Sequence, residues 1–240
     1  MLENKTIFVS GGTGYLGQEI CRLSHQYGAK VFFSCREINE KAKILCDELP
    51  GSRAVAFDFH NVNEIGATIE ALYREVNAID ILVNNAAISQ TMPLALLEEE
   101  DVDLALDINI KGPLFLTRAV IKGMVRNKRG AIINLGSIAG QRLLDVPVTY
   151  AITKSAMTGF TLALAAELKS FGIRVNSVVP GLLEGGVSHG VPDGLRRDFI
   201  EHCAAGRAGT AREVAEVVCF LGSDRASYIN GQQLFVDGGI

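Results

Sequence analysis

Ser10-Gly11-Gly12-Thr13-Gly14-Tyr15-Leu16-Gly17 closes the short apolar run Thr6–Ser10 and opens Gly17–Tyr27, a segment whose apolar residues recur at helical spacing. Glycine permits a tight turn with positive φ, and it lets a backbone or a ligand approach where a Cβ would block it. A helix that starts here presents free N–H groups and the positive end of its dipole, the pairing that a pyrophosphate needs. The stretch reads either as a glycine-rich strand-to-helix turn or as the cradle of a dinucleotide. Both readings begin the chain with a strand followed by a helix.

Outward from that turn the same alternation repeats. Runs rich in β-branched and apolar residues recur at Lys30–Ser34, Ala54–Asp58, Ile79–Asn84, Gly130–Leu135, Arg174–Val179 and Gln233–Val236. Helical spacing separates them at Glu64–Val76, Leu114–Arg126 and Tyr150–Phe171. Continuous rather than alternating apolar strands predict a parallel sheet covered on both faces, hence an α/β fold. Ligands of such sheets lie beyond the carboxyl ends of the strands. Those ends carry Ser10-Gly11, Ser34-Cys35-Arg36, Asp58, Asn84-Asn85, Gly136-Ser137 and Pro180-Gly181.

The 240 residues contain no repeat and no low-complexity linker, so one domain spanning 1–240 is expected. With 23 basic against 27 acidic side chains, the net charge of −4 supplies no field for nucleic acid or an anionic membrane. Five cysteines, at 21, 35, 46, 203 and 219, form no CxxC pair, which fits a reducing compartment and neither a disulfide framework nor a metal site. No stretch reaches the apolar length of a membrane span, and Met1–Val9 holds no long apolar leader. A cytoplasmic protein is expected.

Tyr150 and Lys154 stand at i and i+4 on one helix face. A cation there stabilises phenolate and draws the tyrosine toward a pKa useful for proton transfer, although the isolated pattern also fits a solvated face. Ser137, at a strand end, suits a hydrogen bond to a substrate oxygen or an ordinary turn. Asn109, inside an apolar helix, reads as a satisfied core amide or as a functional one.

Together these segments, with Asn84-Asn85-Ala86-Ala87 and the C-terminal Gly231–Gly239, resemble the compact branch of the short-chain dehydrogenase/reductase family over essentially the whole chain. The resemblance implies a single Rossmann-type doubly wound domain with a seven-stranded parallel sheet, and hydride transfer with a nicotinamide cofactor. It implies Tyr150 as general acid and Ser137 as the group that polarises the same carbonyl oxygen. Lys154 would bind the nicotinamide ribose and lower the Tyr150 pKa, and Asn109 would hold a water that feeds protons to Lys154. The matching cofactor positions are Gly11, Tyr15, Leu16, Gly17, Arg36, Asp58, Asn84 and Lys154, with Pro180 and Gly181 lining the nicotinamide.

Three positions depart from the family pattern. Tyr15 replaces a glycine, so the spacing becomes GxxGxxG, as in the extended branch; yet the 60 residues after Pro180 are too few for that branch's larger lobe. Ala87 replaces a glycine, and Gly185 replaces a threonine that often holds the carboxamide. Residues 182–207 would form the substrate-binding lid. Small residues Ala151, Ser155, Ala156, Gly159 and Ala163 along one helix, with the resemblance to tetrameric relatives, suggest a homotetramer with D₂ symmetry.

The position that commonly carries an acid in NAD enzymes is Cys35, and Arg36 beside it offers a planar cation for a 2′-phosphate. NADP (as NADPH) is favoured over NAD on that ground, although Glu37 follows and Gly12–Tyr15 holds no base. The leading expectation is an NADPH-dependent ketoreductase acting on a small-molecule or carrier-bound carbonyl substrate such as a 3-oxoacyl thioester. The alternatives are an NAD-dependent alcohol or sugar dehydrogenase, and a non-catalytic nucleotide-binding regulator.

Overall fold

Each of the seven apolar runs forms a strand in the computed structural model, which describes residues 1–240. They are β1 (Thr6–Val9), β2 (Lys30–Cys35), β3 (Arg53–Ala56), β4 (Ile81–Asn84), β5 (Gly130–Leu135), β6 (Ile173–Pro180) and β7 (Gln233–Val236). All neighbours pair in parallel in the order β3-β2-β1-β4-β5-β6-β7. The third run stops short of its expected end. Ala56 pairs with Cys35, the last residue of β2, so no strand remains for Asp58 to pair with, and it sits in the following loop.

Alternation along the strands divides the core between two layers. Ile7, Val9, Phe33 and Ile133 face one side, where Ile20 of α1 (Tyr15–Gln26) packs and where α2 (Glu40–Glu48) contributes Leu45. Phe8, Phe32, Leu82 and Ile132 face the other, against α3 (Val62–Leu72), which contributes Ile65 and Ile69. Both faces are buried, and this is why the strands read as continuous apolar runs.

Helical spacing marks four segments in the sequence, and the structure has eight α-helices. The chain continues through α4 (Glu99–Leu106), α5 (Gly112–Asn127), α6 (Val148–Leu168), α7 (Asp193–His202) and α8 (Ala211–Gly222). A π-helical turn, Asp107–Lys111, joins α4 to α5. α8 starts at a capping box in which Thr210 Oγ1 accepts from Glu213 N and Glu213 Oε2 accepts from Thr210 N. No helix is long and apolar enough to cross a membrane.

From β1 the chain builds outward to β2 and β3, then returns to place β4 on the other side of β1. The carboxyl ends of β1 and β4 therefore flank the switch point, where an open sheet of this kind forms its crevice.

Candidate active site

Beyond β1 the glycine-rich turn is held from three directions. Gly11 adopts a positive φ of 65° and donates its N–H to Ser34 Oγ, while Gly12 N–H donates to Ser34 O. A Cβ at Gly12 would strike the Phe33 side chain, and one at Gly17 would strike the Gly11 carbonyl. Asn85 Nδ2 donates to Ser10 O at 2.8 Å and to Gly11 O at 3.2 Å, and Ser10 Oγ accepts the N–H groups of Asn85 and Ala86. These contacts leave the first turn of α1 open toward a cavity of about 1140 Å³. A backbone cradle that any larger residue would fill, at a helix N-terminus, fits a dinucleotide pyrophosphate.

That cavity brings together most of the residues singled out in the sequence. Gly11, Tyr15, Leu16 and Gly17 line one end with Arg36 and Asp58; Ser137, Tyr150 and Lys154 line its middle with Pro180 and Gly181. Asn84 and Asn109 do not line it. Asn84 is buried, and its Nδ2 donates to Thr117 Oγ1 and Asn134 Oδ1, so its side chain knits the sheet to α5 instead of reaching a cofactor. Asn85, one residue on, takes the place at the crevice.

Asn109 is likewise held by protein partners. Its side chain forms a reciprocal pair with the Ile88 backbone, Oδ1 accepting from N–H and Nδ2 donating to C=O, both at 2.8 Å. Nδ2 also donates to Thr153 Oγ1, which in turn donates to Tyr150 O. With both amide donors used by protein, the side chain acts as a bracket between the loop after β4 and the first turns of α6 that carry Tyr150. Its place in a π-helical turn, a local irregularity frequent at functional sites, brings the amide to that bracket. Thr153 is a site residue that no motif of the sequence marks. A β-branched hydroxyl three residues after Tyr150, able to bond the i−3 carbonyl, is the one available clue to Thr153.

Lys154 is buried, and its Nζ donates to the Leu135 carbonyl at 2.8 Å while lying 5.7 Å from the centre of the Tyr150 ring. Burial pulls the ammonium down to a pKa of about 8. Burial likewise raises the Tyr150 phenol above its ordinary range, and hydrogen bonding from Ser137 offsets part of that rise. Burial is the larger of these two effects, so the phenol lies above its ordinary range. Ser137 Oγ also accepts from Ala139 N, which fixes the hydroxyl just beyond β5.

Beside the glycine-rich turn Arg36 is exposed and pairs with no carboxylate, Glu37 included. Cys35 is buried beside it. Asp58 Oδ1 accepts from His60 N, which shapes the loop at the cavity's rim.

A parallel sheet with a glycine cradle at its switch point and a tyrosine, serine and lysine gathered below it defines a nucleotide-dependent oxidoreductase scaffold. A family profile described as enoyl-(acyl carrier protein) reductase matches residues 14–240. The 3-oxoacyl-(acyl-carrier-protein) reductase FabG of Vibrio cholerae is 34% identical over 240 residues, covering 100% of this chain and 98% of that protein. The gluconate 5-dehydrogenase of Burkholderia cenocepacia, solved with NADP and tartrate, superposes with a TM-score of 0.93 at 29% identity, covering 99% of this chain and 95% of its own. A solved short-chain dehydrogenase/reductase family protein superposes with a TM-score of 0.89 at 31% identity, covering 99% and 97%. The chain belongs to the short-chain dehydrogenase/reductase family, and it is an NAD(P)-dependent short-chain oxidoreductase.

Proposed function

We propose that this chain is an NADPH-dependent ketoreductase whose substrate is a carbonyl on an apolar chain, such as a 3-oxoacyl thioester on a carrier. The observation that carries this reading is the wall of the cavity beyond Tyr150. Met92, Leu94, Leu144, Val148, Val187 and Leu195 are among its lining residues, and the only cations that line the cavity are Lys154, whose Nζ is committed to the Leu135 carbonyl, and Arg36 beside the glycine-rich turn. A sugar acid would bring a carboxylate to a wall without a free guanidinium or ammonium, which counts against the sugar-acid form of the dehydrogenase reading. The gathered proton-transfer groups count against a pure binding module.

A dinucleotide held by the glycine-rich turn would supply the hydride for the carbonyl carbon. Tyr150 donates its hydroxyl proton to the carbonyl oxygen, and the Ser137 hydroxyl donates a hydrogen bond to that same oxygen. Lys154 holds its ammonium near the Tyr150 ring, where it stabilises the phenolate left behind, and it would hold the nicotinamide ribose of a bound dinucleotide. Asn109 and Thr153 fix the backbone that carries the phenol. Residues 182–207, including α7, which buries no side chain fully, form the lid over the acyl chain. Purified protein assayed with NADPH and NADH on 3-oxoacyl thioesters, simple ketones and sugar acids tests the reading. Reduction of the thioesters with NADPH is expected, and turnover confined to sugar acids would overturn it.

Arg36 supports the choice of NADPH because an unpaired guanidinium at the end of β2 suits a phosphate that NADH lacks. Arg36→Ala is expected to weaken NADPH by about tenfold or more while leaving NADH within about twofold, an asymmetry that follows from the loss of one charge-assisted contact. Equal losses in parallel titrations would remove the phosphate contact. The family resemblance and the small residues on α6 support a homotetramer, and light scattering that reports a stable monomer at micromolar concentration would refute that assembly.

A further inference from the structure

Two departures from the family pattern lie 170 positions apart in the chain and meet in space. The Tyr15 ring, at the start of α1, rests on Gly185 and Gly186 at the start of residues 182–207. A Cβ built on Gly185 would stand 2.8 to 3.0 Å from Cε2, Cδ2 and Cζ of the ring, and one on Gly186 would stand 3.1 Å from the Tyr15 Cβ. Gly185 is extended at φ −147° and ψ −169°, a conformation open to every residue, so the backbone does not demand glycine there. The ring does. Its hydroxyl makes no hydrogen bond within the protein and the residue is 38% exposed, so the contact is one of packing. Tyr15, Gly185 and Gly186 all line the cavity, where the glycine-rich turn meets the segment after Gly181.

We propose that Tyr15 is a positioning residue that sets how closely residues 182–207 approach the glycine-rich turn, and through that approach how tightly the dinucleotide is held. The inference rests on the reading of this groove as the dinucleotide site. The ring spans the groove wall and the two glycines form a shelf without side chains to receive it. A cofactor lying in the groove leaves more slowly while ring and shelf stay in contact, since the lid and the turn then move as one.

The test is a double-mutant cycle of Tyr15→Ala and Gly185→Val, with NADPH affinity measured from nucleotide fluorescence and tryptic cleavage after Arg196 and Arg197 followed with and without NADPH. Each single change breaks the same contact, so each is expected to weaken NADPH by about tenfold, a magnitude within the range for directly touching residues. The double variant should be no weaker than Tyr15→Ala alone. Tyr15→Phe should behave as the wild type in both assays, because the ring and not the hydroxyl does the work. NADPH should slow cleavage in the wild type and in Tyr15→Phe, and slow it much less in Tyr15→Ala. Additive losses, or full protection of the Tyr15→Ala lid, would overturn the role of Tyr15 while leaving the cofactor site intact. Failure of the wild type to bind either NADPH or NADH would instead bring down the functional reading on which this one depends.

Discussion

A Tyr150→Phe variant is expected to bind NADPH as the wild type does and to lose about 10²–10⁴ in turnover, the usual contribution of a positioned general acid. The ring remains to fill the cavity against Lys154, and the hydroxyl is the only group removed. Burial holds the phenol above its ordinary pKa of 10.0, so near neutral pH the residue is protonated, the form that donates a proton during reduction. Reduction by the wild type should accordingly stay flat with pH through neutrality and begin to fall near pH 8, where the Lys154 ammonium that supports the nascent phenolate is lost, before the phenol itself ionises. The reverse oxidation needs phenolate and should be slow at neutral pH. Single-turnover reduction by the purified variant at a rate near wild type would end the assignment of Tyr150 as the acid.

The sheet was legible in the sequence because burial on both faces writes an unbroken apolar run, and no competing element of this chain is equally short and β-branched. The site was legible less evenly. Tyr150, Lys154 and Ser137 reach one cavity because strand ends and helical spacing dictate their direction, whereas side chains that depend on a one-residue boundary do not follow from pattern. Asn84 and Asn85 illustrate this. β4 ends at Asn84, whose side chain turns into the layer under α5, and the next residue turns toward β1; a shift of one residue exchanges their roles. Asn109 fits a core amide or a functional group by sequence, and its side chain brackets the Ile88 backbone to Thr153 in the turn that carries Tyr150. The balance between desolvation and charge at Tyr150 depends on how deeply α6 is buried, which spacing at i and i+4 does not encode. The Tyr15 and Gly185 contact is more remote still, since each residue taken alone is only an exception to a pattern.

Lys154→Met is expected to remove most turnover and to weaken the cofactor, yet to make the free protein more stable at pH 7. The ammonium is buried at 6% exposure, and its pKa is pulled from 10.5 to about 8 by desolvation alone. Holding it charged at neutral pH therefore costs about 3 kcal/mol relative to the unfolded chain. Methionine fills similar volume without that cost, but it leaves the Leu135 carbonyl without the Nζ–H donor, a loss of about 1–2 kcal/mol. A net gain of about 1 kcal/mol at pH 7 follows. The sign then changes with pH. Between pH 8 and 10.5 the unfolded lysine keeps a proton that the folded one has released, so the wild type gains stability across that window and the variant does not. Above it both proteins hold a neutral side chain, only the missing hydrogen bond separates them, and the variant should be the less stable. Urea unfolding of both proteins at pH 7 and pH 10 reads the crossing directly, and a variant less stable at pH 7 would refute the buried-charge account. The activity argument is independent of that balance. Without the ammonium the phenolate formed at Tyr150 has no adjacent cation in a buried site, and turnover should fall by about 10² or more. Unchanged NADPH affinity in the same variant would show that Lys154 serves the phenol and does not touch the ribose.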